Sequence, residues 1–160
     1  MIIIGIDPGM DGAVVAIQGD TREIITVTDC PTLPAGKGRD YDIPAMAEVL
    51  RTSILANMAT VILEQAQAMP KQGVASTFNF GRGFGIWLGI LGALEIPYRT
   101  VRPSQWTKRI FSGLPGKGKE RSVQFARRMF PALELVPPGC RKPRDGRADA
   151  ACLAYYGVVA

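Results

Sequence analysis

Three short apolar runs rich in β-branched residues, IIIGID, GAVVAIQGD and EIITVTD, fall within the first 29 residues, each closed by residues that favour turns. Strands so short and so closely spaced pair with their sequence neighbours, which predicts a three-stranded meander. LPAGKGRDYD then reads as a Gly- and charge-rich loop. IPAMAEVLRTSILANM changes the period: Ile43, Met46, Ala47, Leu50, Ile54 and Leu55 recur at helical spacing, with Asp42 as N-cap.

ATVILEQ is a further strand, ending on Glu64, and residues 66–74 form a loop. ASTFNFGRGFGIWLGILGALEI reads as a helix in spite of its glycines. Gly81, Gly85 and Gly89 fall four apart on one face. Each costs about 1 kcal/mol relative to alanine, so a close approach is expected there, of the helix to the sheet first, or else to a partner subunit or to DNA backbone. PYRTVRP supplies a fifth strand and PSQWTKRIFSG a short helix. KERSVQFARRMF is amphipathic, with Val123, Phe125, Ala126 and Met129 set against Arg121, Arg127 and Arg128, and an alanine-rich helix opening at DGRADAACLA closes the chain. Three strands followed by alternating helices and strands predict an α/β fold with a mixed sheet. A length of 160 residues with 47% hydrophobic content fits one domain, 1–160, with a sizeable core.

There is no histidine, which removes Ser-His-Asp and Cys-His nucleophiles and histidine metal ligation together. Cys30, Cys140 and Cys152 are odd in number and show no C-x-x-C spacing, so neither a disulfide framework nor a zinc site is expected. Catalysis is left to carboxylates, lysines, hydroxyls or bound ions. Asp7 ends the first strand, Glu64 ends the fourth, and Asp145 with Asp149 share one face at the start of the last helix. Each acid also has a plain structural role open to it, as a turn residue, a surface acid or a helix cap. Their joint placement predicts four carboxylates converging beyond the carboxyl ends of neighbouring strands. Such a cluster repels itself by about 4 kcal/mol per pair at about 4 Å, so it calls for cations. Oxygen-only ligands select Mg²⁺ or Mn²⁺, and two such ions suit phosphodiester displacement.

Charge is unevenly spread. Residues 1–98 hold six Lys or Arg against ten Asp or Glu, a net of −4, whereas residues 99–147 hold thirteen against three, a net of +10. A bias so local predicts an electrostatic footprint for a polyanion, the alternative being a solvated basic face. No stretch approaches the roughly 18 apolar residues of a membrane span, and MIIIGIDPG opens without a basic leader, so a soluble, unexported, cytoplasmic protein is expected.

IGIDPGMDGAVVA, VILEQ, STFNFGRGFGIWLGIL, PYRTVRPSQW and DGRADAACLA, in this order, resemble the RuvC-type Holliday-junction resolvases of the RNase H-like nuclease superfamily, over residues 3–155. The resemblance implies a five-stranded RNase H-like sheet, a homodimer and metal-dependent symmetric nicking of four-way DNA junctions in a bacterial or phage-infected cell. It maps the family's acids onto Asp7, Glu64, Asp145 and Asp149. The last two stand four apart, as in phage and plastid relatives, rather than three as in bacterial RuvC. Asp7, Glu64 and Asp149 are then expected to hold metal, with Asp145 as a fourth ligand or a water-positioning group, and the spacing leaves the share of the last two open. The aromatic that bacterial RuvC places after its second acid has no counterpart in 66–74, so Phe78 or Phe80 is the candidate. Lys71, Gln72, Ser76, Asn79 and Arg82 form a polar and basic set suited to phosphates, as do Arg144 and Arg147. Lys117 and Lys119 fall where the family keeps a phosphate-contacting lysine. The alternatives are a broader fork and flap nuclease, a non-catalytic DNA-binding module and a small actin-like ATPase, the last disfavoured by the lack of a second phosphate block.

Overall fold

The computed structural model describes residues 1–54, 58–67, 73–116 and 118–160, and of Lys119 the backbone only. The three N-terminal runs form β1 (Ile2–Ile6), β2 (Ala13–Gln18) and β3 (Ile24–Asp29), an antiparallel meander as expected. A two-stranded ribbon, β4 (Thr32–Ala35) and β5 (Gly38–Tyr41), precedes helix α1 (Ile43–Ile54). Then come β6 (Ala59–Glu64), α2 (Val74–Ala93), β7 (Tyr98–Val101), α3 (Pro103–Ile110), α4 (Lys119–Met129) and α5 (Asp145–Val159). The main sheet has the order β3-β2-β1-β6-β7, with β1, β6 and β7 parallel. Tight turns make one half antiparallel, and the helical crossovers make the other half parallel. The result is the five-stranded mixed α/β sheet predicted. Among the described residues no helix is long and apolar enough to cross a membrane.

Every residue of β1 is buried, because helices cover both faces of the sheet. Ile2, Ile4 and Ile6 point into one core with Met46 and Leu50 of α1 and Trp87 and Leu91 of α2. Ile3 points into the other, with Ile62, Val101, Trp106, Ala126 and the alanines of α5. The Asp42 carboxylate caps α1, accepting the Ala45 N–H at 3.1 Å; Leu55 lies outside the described residues.

α5 lies almost backbone to backbone on the sheet. A methyl group at Gly5 would overlap the Ala150 carbonyl oxygen and stand 2.5 Å from the Ala154 nitrogen. Further along, one at Gly157 would be 2.6 Å from Ile3 and 2.7 Å from Ile62. Small residues at 146, 150, 154 and 157 therefore form the seam.

Two expectations are corrected. Gly81, Gly85 and Gly89 face open space, and the tight glycine of α2 is Gly83, where a methyl would overlap the Tyr41 hydroxyl and the Pro8 carbonyl. Helical period alone places a residue on a face but does not say which face meets the sheet. The segment read as a loop before α1 is the β4–β5 ribbon, turned at Gly36 with φ 55°. Most of its residues are half-buried or exposed, so it lacks the apolar alternation that betrays a strand.

Replacing Gly5 by valine is expected to destabilise the protein by about 3 kcal/mol or more, since the α5 backbone must move. Gly85→Ala, in open space, is expected to add up to about 1 kcal/mol. Equilibrium denaturation of both variants checks the pair.

Candidate active site

β1 and β6 run side by side in a register that sets Ile6 opposite Leu63. The next residues, Asp7 and Glu64, therefore stand together at the carboxyl ends of adjacent parallel strands. Asp7 is held by the turn that follows it: its backbone N–H donates to Ala13 O at 3.0 Å and its Oδ1 accepts the Gly9 N–H at 3.3 Å. The turn reading of Asp-Pro-Gly is thus the one these hydrogen bonds show. α5 begins at Asp145, and Gly146 seats its first turn against the Asp11 carbonyl and the Gly12 Cα, where no side chain fits. Asp7 and Asp145 consequently line one cleft of about 400 Å³, together with Ser76, Asn79 and Phe80 of α2 and Arg39 and Tyr41 of β5.

Glu64 and Asp149 lie outside that lining. The Glu64 carboxylate accepts the indole N–H of Trp106 at 2.8 Å, which fixes its direction. Asp149 is one helical turn beyond Asp145, and its charge helps push the buried Cys152 thiol up, an effect due first to burial. All four acids are half-buried. Among the described residues, no three Asp, Glu or Cys side chains are gathered into a ready metal cage. Asp7 accepts the Gly9 N–H and Glu64 the Trp106 indole N–H, so each of these carboxylates has at least one donor that fixes it at this end of the sheet. The donor set itself, four carboxylates without histidine, fits a hard divalent ion.

Of the expected polyanion contacts, Phe80 lines the cleft, its ring packed over Gly9 beside Asp7, whereas Phe78 is 67% exposed and outside the lining. Arg82 is tied to the ribbon by an ion pair with Asp40 and lies over the Tyr41 ring at 5.3 Å. Arg144 precedes α5 and donates to Cys140 Sγ at 3.7 Å. Arg147 is a correction. Only 7% exposed, it grips Asp29 with two bonds of 2.7 and 3.1 Å and donates to the Glu134 carbonyl at 2.6 Å, so it anchors α5 to β3 and is not available to a phosphate. Lys71, Gln72, Lys117 and the side chain of Lys119 lie outside the described residues.

Three residues of the site went unread in the sequence: Arg39, Tyr41 and Trp106. Trp106 carried a signal, because a buried indole needs an acceptor. Arg39 and Tyr41 carried none, sitting in a segment without period. The Tyr41 hydroxyl donates to the Asn79 carbonyl at 3.0 Å and reaches the Pro8 carbonyl at 3.4 Å, locking ribbon, α2 and the β1 turn together.

No family model matches the chain, and no curated protein matches it. Solved structures do. RuvC of T. thermophilus in complex with a Holliday junction substrate aligns with a TM-score of 0.68 at 18% identity, over 98% of this chain and 91% of that one. Thermus thermophilus RuvC in a second structure aligns with a TM-score of 0.57 at 18% identity, covering 98% and 92%. The yeast mitochondrial Holliday junction resolvase Ydc2 gives 0.61 at 15%, covering 98% and 77%. The chain has the fold of these proteins, the RNase H-like arrangement the sequence led us to expect.

Burial first, then Cys30 and Asp7, pushes the Tyr41 hydroxyl from 10.0 to about 12, and burial with Asp7 pushes the Cys30 thiol from 9.0 to about 12. The folded protein thus keeps protons that the unfolded chain releases. Stability from these groups is fully present below pH 9 and is lost as the pH rises toward 12. In Tyr41→Phe the alkaline loss between pH 10 and 12 is expected to shrink, while stability at pH 7 falls by about 1 kcal/mol through the lost hydrogen bonding. Thermal melts from pH 7 to pH 11 test both.

Proposed function

We propose that the protein is a divalent-metal-dependent endonuclease that resolves four-way DNA junctions by paired symmetric nicks. The observation that carries this reading is the placement of Asp7 and Glu64 at adjacent parallel strand ends, with α5 laying Asp145 into the same cleft as Asp7, on a fold shared with junction-resolving nucleases. The net of +10 over residues 99–147 supports a polyanionic substrate.

Asp7, Glu64, Asp145 and Asp149 would hold the metal, Mg²⁺ or Mn²⁺ and in our reading two ions. When bound, such ions activate the attacking water and stabilise the leaving 3′ oxygen. The chain's own residues arrange what the ions meet. Trp106 holds the Glu64 carboxylate in one direction without adding charge. Asp145 lines the cleft beside Asp7 and Asp149 does not, so in our reading Asp145 is a full ligand, a larger role than the sequence reading of fourth ligand or water-positioning group gave it. Phe80, over Gly9, gives a flat apolar surface on which an unpaired base can stack. Selectivity for a junction arises from shape, with two copies of the chain setting two clefts at a fixed separation.

Asp7→Asn is expected to lower junction nicking at least about 100-fold while keeping junction binding in Ca²⁺, since it removes charge from a metal ligand. Asp145→Asn should cost more activity than Asp149→Asn in both Mg²⁺ and Mn²⁺. The assay is a cleavage panel of four-way junction, fork, flap and linear duplex, with sedimentation to follow dimer formation. Near-normal nicking by Asp7→Asn, or a monomer that nicks symmetrically, refutes the reading. Trp106→Phe is expected to slow nicking about 10-fold and to weaken Mn²⁺ binding by calorimetry, with little change in junction affinity.

A further inference from the structure

We propose that Arg39 contacts the phosphate of the strand being cut, exchanging its partner Asp11 for the DNA backbone. The proposal rests on the nuclease reading and adds a second wall to its site. The cleft is lined by acids from β1, the following turn and α5, and a nucleic acid strand entering it brings further negative charge. Among the described residues that line it, Arg39 is the one cation.

Its setting suits the exchange. The ribbon bearing Arg39 is fixed at its base: Tyr41 bonds to the Asn79 carbonyl, Asp40 pairs with Arg82, and Asp42 caps α1. Two residues from that anchored end, Arg39 pairs with Asp11, whose side chain is 79% exposed. An ion pair so open to water contributes little and is readily replaced. A guanidinium–phosphate contact is charge-assisted and can be bidentate, so it is the stronger of the two. Asp11 sits on the turn between Asp7 and the Gly12 that underlies α5, so Arg39 waits beside the acids rather than away from them. Arg82, engaged by Asp40 and stacked on Tyr41, holds the ribbon; Arg39 meets the substrate.

The alternative is that Arg39 and Asp11 merely tie the ribbon to the turn. The two roles differ in sign. A tie makes Arg39→Ala and Asp11→Asn harmful alike, whereas partner exchange makes them opposite. Arg39→Ala is expected to slow nicking of a four-way junction at saturating DNA about 10-fold or more, with Arg39→Lys recovering part of it. In Ca²⁺, anisotropy of a labelled junction should show the slope of log affinity against log salt reduced by about 0.9 in Arg39→Ala. Asp11→Asn should bind the junction several-fold more tightly. An unchanged salt slope in Arg39→Ala, or weaker binding by Asp11→Asn, overturns the proposal, with melts confirming that each variant folds. Failure of the unaltered protein to nick any branched DNA would instead sink the nuclease reading, and the binding arm would still decide Arg39.

Discussion

The closeness of α5 to β1 is the constraint on which the acid end of the molecule depends. A helix ordinarily packs on a sheet through a layer of side chains, but here Gly5 and the seam of small residues on α5 remove that layer. The helix then has little freedom to slide, because any Cβ added at Gly5 or Gly146 meets backbone. Its first turn rests on residues 11 and 12, which belong to the same turn that positions Asp7. Two acids 138 positions apart in sequence are thereby referred to one short piece of backbone.

Rotation of the helix is set by a different interaction. Arg147 reaches from α5 to Asp29 at the end of β3 and to Glu134, and its burial makes the bonds directional. A buried guanidinium that loses a partner is strongly destabilising, so this pairing fixes which face of α5 looks at the sheet. The face that remains turns Asp145 into the cleft. Edge-to-face contacts from Trp106 to Phe111, Phe111 to Phe125 and Phe125 to Tyr155 carry the same rigidity from α5 back to α3, the helix whose indole orients Glu64.

What was legible in the sequence is what burial writes into it. The meander, the two crossover helices, the Asp42 cap and the strand-end positions of Asp7 and Glu64 follow from apolar period and turn chemistry, which are properties of neighbours in the chain. Arg147 was misread because its partners lie 118 and 13 residues away, and an arginine beside other basic residues looks the same whether it faces a phosphate or Asp29. Gly83 is not distinguishable in the sequence from the evenly spaced Gly81, Gly85 and Gly89, since only the Tyr41 hydroxyl and the Pro8 carbonyl, both distant in sequence, set it apart.

The ribbon was the largest omission, and the reason bears on the site. A strand with little buried surface has no period to read, so polar function and illegibility come together. The main sheet is covered by helices on both faces, which suits it to holding carboxylates still but leaves its faces no opening toward a substrate. A second wall has to come from elsewhere in the chain, and an exposed two-stranded ribbon anchored at one end supplies it. Tyr41, 5% exposed, is the single buried residue of that ribbon, and it bonds to the elements that frame the cleft. The wall is therefore bonded to the body where it joins it and polar where it faces the acids, and Arg39 stands two residues from Tyr41 with 41% of its side chain exposed.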